Sequence, residues 1–556
     1  LDEIGDLYHE KLQNPQKSIA AYLDALEQKS KDHSVLQKLL DRYQETKQWK
    51  KVIEVSLQFA EQEPSPLRKG RYYYAAGVIS RDELRSLDDS VEYFNLALDA
   101  YFTEPESVLA DSASSYLKPF ESIDRILTAK KDWKALERNY RRMIKRMPKR
   151  PGDRLLTMLW HNLGEIYRSR LHEYKSAAQA FEVAAALDPD NKQRHEILAE
   201  LYVLAGPDYA EKAVDEHKKM LAVDPYKFDS YKALRKIYMD THQYDKAWCL
   251  CSALTFLKKA DPEEQQFFEQ YRPKGFVRAK QRITDDTWKC IFHPDADRYV
   301  SAILGSVWLG ASLMFARPHK VYGLKRKDRR QIENDQLLFS KVFHYVAQVL
   351  NVQMPEVYLQ PERPGEIQLC NCEEKGVLIP AFIVGPGVLQ GRPEKELSYL
   401  CAKKLCYMRP EHYLKLVLPT NTQIKSTFLS AISMVQPQFP IRPDMLPHVQ
   451  QVQPHLQERM QALPQFLEQL HLIVTRFLQN PTDIDLVKWG NGVEATAHRV
   501  GFVICGDLEV AARMISLEPS QAGTPPAKDK IKELVLYAVS EDYFSVRQQM
   551  GLVIGG

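Results

Sequence analysis

The side chains with the most obvious chemistry are eight cysteines: Cys249, Cys251, Cys290, Cys370, Cys372, Cys401, Cys406 and Cys505. Two pairs, Cys249/Cys251 and Cys370/Cys372, have Cys-x-Cys spacing, a weak metal signal. There is no Cys-x-x-Cys, which excludes a zinc ribbon and a thioredoxin-type redox motif. Buried thiols are common in cores, and both pairs are read that way. Eight cysteines in 556 residues are too few for a disulfide scaffold, so a reducing, cytoplasmic setting is expected. Glu411-His412 places a carboxylate beside an imidazole, but a histidine next to the Pro410 turn reads as a surface cap rather than a metal ligand. His471 lies in an apolar helical pattern and reads as core or boundary. No Gly-x-Ser-x-Gly, phosphate loop or dinucleotide fingerprint occurs, and Gly385-Pro-Gly387 reads as a turn. No cofactor is expected.

The elements that position these groups need a long chain, and 556 residues suffice for several cores without a disulfide staple. Lys and Arg number 76 against 73 Asp and Glu, a net charge of +3, which excludes a globally basic nucleic-acid binder and an acidic tail. The chain starts at Leu1 rather than Met, which leaves room for sequence before it.

Internal repetition organises the first half. Trp160, Leu163, Gly164 and Tyr167 share one helix face; Ala177, Phe181 and Ala184 make a facing stripe; Pro189 turns the chain onward. Related pairs recur: Gly5 and Tyr8 with Ser18 and Tyr22, Leu36 and Leu40 with Val52 and Phe59, and a second helix with Ser90, Phe94 and Ala97. Phe120 and Leu127 follow with Leu136 and Tyr140, then Leu198 with Ala213, and Tyr231 and Tyr238 with Ala247. These spacings resemble the tetratricopeptide repeat, with one extra residue in the turn after Tyr167, and predict seven helix pairs over residues 1–260. The resemblance implies an α-solenoid with a protein or peptide partner on its concave face. Arg138, Arg141, Arg142, Lys145, Arg146, Lys149 and Arg150 form the densest charge of this half. They read as a solvated face, with an acidic protein partner as the functional alternative. Nucleic acid is not expected, because aromatic residues do not interleave.

The repeat pattern fades after Ala260, and Tyr271–Gly275 reads as a linker. Tyr299–Ala316 is eighteen residues without a charge, flanked by Arg298 and Arg317 and followed by Lys325, Arg326, Lys327, Arg329 and Arg330. A buried core helix is the expected reading, with membrane contact through 299–316 as the alternative.

Further on, Leu338–Leu350 reads as an amphipathic helix. Pro355–Leu359 and Gly376–Val384 read as strands separated by a polar turn region, and Glu396–Met408 as a helix. This order resembles HtpX-like and CAAX-protease-like metallopeptidases over residues 338–520. The resemblance implies a zinc site in which His-Glu-x-x-His supplies two ligands and a base, and a Glu from a Glu-x-x-x-Asp helix completes the set. Aligned on Glu396-Leu397, the two His positions hold Lys403 and Tyr407 and the base position holds Lys404. Glu494 is retained, and His498 replaces the Asp. A protonated lysine has no lone pair for a metal, and Lys404 cannot act as a carboxylate base. The expectation is therefore a pseudo-peptidase without metal, in which Lys403 pairs with Glu494 as the cross-link that zinc would otherwise supply.

Residues 436–454 carry five prolines and read as an extended connection, with helices over 456–479 and 483–517, a flexible loop over 521–526 and a last short helix capped by Ser540. The sequence thus predicts a mostly α protein. Residues 1–270 form a tetratricopeptide-like α-solenoid, 271–337 a linker with an apolar helix, 338–520 an α+β metallopeptidase-like domain with a small sheet, and 521–556 a loop and C-terminal helix. Its expected role is a protein-interaction scaffold, not an enzyme, with a peptide groove near 377–384. The alternatives are an active zinc peptidase with non-standard ligands and a membrane-anchored assembly subunit.

Overall fold

The computed structural model describes residues 1–29, 32–103, 113–148, 153–389, 391–418, 420–479, 484–519 and 523–554. The chain divides into two compact units, Leu1–His217 and Lys218–Gly556, with the boundary inside the helix Ala210–Val223.

The first unit is a tandem of tetratricopeptide-like helical hairpins. Its pairs are Asp2–Glu10 with Pro15–Gln28, His33–Glu45 with Trp49–Gln62, Pro66–Asp82 with Leu87–Tyr101, Ala113–Lys130 with Trp133–Arg146, and Arg154–Ile166 with Tyr174–Leu187. A sixth pair, Lys192–Ala205 with Ala210–Val223, runs up to the unit boundary, and a seventh, Phe228–Asp240 with Tyr244–Phe256, lies in the second unit. A side-chain-free position in the first helix receives an aromatic ring from the second. A Cβ on Gly5 would lie 2.2 Å from Tyr22, on Gly77 2.6 Å from Phe94, and on Gly164 2.7 Å from Phe181. Ser18 and Ser90 donate to the carbonyls of Gly5 and Gly77, at 2.9 and 2.8 Å, which fixes the axial register of those hairpins. Every hairpin turn also carries one residue at positive φ: Gln13, Lys47, Arg85, Lys131, His172, Gly206 and His242. The extra residue after Tyr167 is absorbed by a π-helical turn over Tyr167–Leu171.

In the second unit the helix Arg298–Phe315 packs against Pro410–Val417, Asn421–Val435, Leu446–Gln461 and Pro464–Gln479. Close approach is permitted by Gly305 against the Glu411 backbone and Gly310 against Met460. By length and composition alone it is the one helix among the described residues able to cross a membrane, with mean hydropathy 1.3, and half of it is buried within the protein.

The sheet has four strands, β1 Arg329–Arg330, β2 Glu356–Leu359, β3 Ile367–Glu374 and β4 Val377–Val384, in the order β1-β2-β4-β3. The expected polar turn between two strands is in fact β3. Its Ile367 and Cys370 to Cys372 are buried, and Lys375-Gly376, both at positive φ, make the two-residue turn into β4. β4 pairs in parallel with β2 over Ala381–Val384 and antiparallel with β3 along its whole length. Its Ala381–Val384 half is therefore interior, while Val377–Pro380 is paired only with β3. The proline-rich connection is also shorter than expected, because a helix begins at Leu446 with Pro447 in its first turn and Pro454 within it. The expected helix over 483–517 is two, Leu486–Cys505 and Leu508–Ser516, broken at Gly506, which has φ +63°.

Candidate functional site

Lys403, Lys404 and Tyr407 lie at the C-terminal end of the helix Glu394–Cys406, and Glu494 and His498 lie one turn apart on Leu486–Cys505. The two helices pack directly on each other. Gly501 makes this approach possible, since a Cβ there would lie 2.7 Å from the Tyr399 ring. Asp485 starts the second helix by accepting from the amides of Val487 and Lys488, both at 2.9 Å.

The expected pairing of Lys403 with Glu494 is not what the structure contains. The buried Lys403 ammonium reaches Glu518, just beyond the Leu508–Ser516 helix, at 2.5 Å. Glu494 instead binds Lys530, from the helix Ala527–Ala538, at 2.7 Å. The cause is partner availability: each carboxylate has its own lysine, so neither needs to share. His498 stands between the two pairs. Its Nε2 is 3.6 Å from Glu494 and 3.7 Å from Glu518, and its Nδ1 is 2.6 Å from the Tyr399 hydroxyl.

Electrostatics follow from this packing. Burial pushes the Tyr399 and Tyr407 phenols well above their usual range, and the charges of Glu518 and Glu494 add to it. The Tyr399 hydroxyl and Nδ1 of His498 share a hydrogen bond; with the phenol as donor, the neutral ring carries its proton on Nε2, facing the carboxylates. Burial and the Lys403 charge lower the His498 pKa and keep the ring neutral. For Glu494, burial alone would raise the carboxyl; its contacts with His498 and Lys530 overcome that and hold it well below the carboxylate range. Burial, then the neighbouring Lys403 charge, lowers Lys404.

Donor atoms of Glu494, His498 and Glu518 lie within 4.8 Å of one another, close enough to share a cation. The surroundings do not fit one. Each carboxylate already holds an ammonium group, and the residues facing them from the neighbouring helix are a lysine and a phenol rather than imidazoles. Sequence reasoning missed Tyr399, Glu518 and Lys530. Tyr399 was findable, four residues before Lys403 on the same helix stripe. Glu518 and Lys530 carry no local signal.

The remaining candidates separate clearly. Burial pushes the thiols of Cys249, Cys251 and Cys372 up to about 12 and that of Cys370 up to about 11, so they are protonated core side chains at neutral pH. His412 is not a surface cap: it is 1% exposed, edge-on to Phe292, with Nδ1 3.6 Å from the Cys406 sulfur. Glu411 binds Arg409 at 3.0 Å. His471 is exposed rather than core. Arg138, Arg141, Arg142 and Lys145 are exposed on their helix, while Arg146 folds back onto Asp99 at 2.6 Å. Lys149, Arg150 and residues 520–522 lie outside the described residues. The expected linker after Tyr271 is tied down by Arg272, which reaches Asp507 at 3.3 Å.

No protein-family model matches the chain, and no curated protein does. Among solved structures, it is similar to the C-terminal part of a TPR repeat-containing protein from Cytophaga hutchinsonii, at 14% identity and TM-score 0.21, over 48% of this chain and 99% of that one. It is also similar to the TPR2AB domain of yeast Sti1 in a pHSP90 complex, at 16% identity and TM-score 0.15, over 48% and 96% of the two chains. A third likeness is to the assembly chaperone of RpL4, at 15% identity and TM-score 0.16, over 42% and 93%. At these scores, the assignment of the repeats rests on the hairpin packing described above.

Proposed function

We propose that the protein is an interaction scaffold in which tetratricopeptide-like hairpins capture a protein or peptide partner and a metallopeptidase-like domain has lost its chemistry. The observation that carries the second half is the pair of ammonium groups, Lys403 and Lys530, bound to Glu518 and Glu494 where a peptidase of this type would place its metal. Two cations fixed beside two carboxylates neutralise the site and oppose a divalent ion by direct repulsion. Lys404 offers no carboxylate to deprotonate water, and Tyr407 is held as a neutral phenol. The lysines serve as the links between helices that a metal would otherwise make. A cytoplasmic setting agrees with eight free thiols, seven of them buried.

One observation favours an enzyme instead: Nε2 of His498 is buried without a hydrogen-bond partner, between two carboxylates. Elemental analysis of the purified full chain separates the readings. The scaffold predicts zinc far below one equivalent, unchanged in Glu494→Ala, and no cleavage of unfolded casein. One zinc per chain, lost in Glu494→Ala together with cleavage, would replace it with the peptidase reading.

A further inference from the structure

We propose that a basic, leucine-lined cavity beside β1 is a docking site for an acidic peptide segment of a partner protein that carries an apolar anchor. Residues 325–330 read Lys-Arg-Lys-Asp-Arg-Arg, five cations and one anion in six positions. All five basic side chains are exposed. Arg329 is neutralised by Glu356 at 2.9 Å. Lys325, Arg326, Lys327 and Arg330 have no ion-pair partner among the described residues, so four cations stand within six positions against the single carboxylate of Asp328. Mutual repulsion at this density favours a polyanionic neighbour, and a folded core gains nothing from such a cluster.

The cluster borders a cavity of about 400 Å³. Lys327, Asp328 and Arg330 line it, two cations to one carboxylate, together with Leu337, Leu338 and Val388. Leu337 and Leu338 are 43% and 47% exposed, two adjacent leucines open to water at the start of the helix Leu338–Leu350. Scattered single leucines on a surface need no explanation; two together at the mouth of a cavity with a cationic rim make a contiguous site. Its shape fixes the ligand class. Acidic side chains meet Lys327 and Arg330 at the cavity and Lys325 beside it in the chain, and one apolar side chain enters between the leucines, so charge steers the encounter and apolar burial holds it. A flat anionic surface could satisfy the charges but would leave the recessed leucine-lined volume unfilled, and this favours the peptide over a membrane. The site is separate from the repeats and from the Lys403 cluster, so it stands or falls independently of the scaffold reading.

The test uses the full chain and a fluorescein-labelled peptide that alternates Glu with Leu, read by fluorescence anisotropy. The wild type binds, and binding weakens as salt is raised. Lys325→Glu/Lys327→Glu/Arg330→Glu weakens it by about ten-fold or more, as does Leu337→Ser/Leu338→Ser, and peptides with Lys for Glu or Ser for Leu lose binding to the wild type. All substituted positions are exposed, and matching circular dichroism spectra establish that both variants are folded. Equal affinity in wild type and both variants, or no binding of the peptide, overturns the proposal. Binding to phosphatidylserine vesicles but not to the peptide also overturns it and assigns the cations to a membrane.

Discussion

Lys403 is 8% exposed, and its value to the fold lies in what its removal leaves behind. Lys403→Ala would strand the partly buried Glu518 carboxylate beside a neutral His498, at a cost of about 2–4 kcal/mol. Lys403→Met with Glu518→Gln removes both charges and is expected to recover most of that loss, as measured by urea denaturation of the two variants side by side. An equal loss in the single and double variants would show that packing rather than charge is responsible. His412 gives a second prediction at this scale. Burial lowers its pKa to about 4, against roughly 6.5 in the unfolded chain. Between these values the unfolded chain binds a proton that the native chain excludes. This contribution is therefore fully present above about pH 6.5 and is lost as pH falls towards 4, by about 3 kcal/mol in all. The urea midpoint should fall between pH 7 and pH 5, and less steeply in His412→Gln.

At the scale of elements, close approach decides the hairpins. In Gly164→Ala the new methyl group meets the Phe181 ring at 2.7 Å and neither helix can yield without disturbing its neighbours, a cost of about 1–3 kcal/mol. Faster amide hydrogen exchange across Arg154–Ile166 and Tyr174–Leu187 is the expected readout, and Phe181→Leu in the same chain should restore part of the protection. These hairpins were legible in the sequence because each buries residues at helical spacing within about thirty positions, and Gly164 and Phe181 announce their contact by type. β3 was not legible. Its Asn371 and Glu373-Glu374 look like a turn, yet Asn371 is buried, with its side chain donating to the Ser312 carbonyl at 2.8 Å and accepting from Tyr413 at 3.0 Å. Those partners lie 59 and 42 residues away, beyond the reach of a local pattern. The candidate site divides in the same way. Lys403, Tyr407, Glu494 and His498 follow from helix spacing and a resemblance, whereas the pairing of Lys403 with Glu518 and of Glu494 with Lys530 is set by tertiary packing.

At the scale of the whole molecule, the last hairpin of the array belongs to the second compact unit, and the C-terminal helix Glu541–Gln549 is part of the reason. Glu541 binds Lys246 at 2.8 Å and Lys218, and it accepts from the Tyr238 hydroxyl at 3.1 Å. Phe544 sets its ring edge-on to Tyr238. Arg547, 5% exposed, makes a two-pronged pair with Asp245 at 2.9 and 2.7 Å and lies over the Trp248 ring. An acid, an aromatic ring and an arginine at three-residue intervals thus place one helix face on the hairpin Phe228–Phe256. The cross-link predicts cooperativity. Arg547→Ala leaves the Asp245 carboxylate without its cation against an aromatic wall, a loss of about 3–5 kcal/mol from this part of the fold. Hydrogen exchange should rise together in Phe228–Phe256 and Glu541–Gln549 while the helices of Leu1–His217 keep wild-type protection. A rise confined to Glu541–Gln549 would show instead that the C-terminal helix rests on the hairpin without stabilising it.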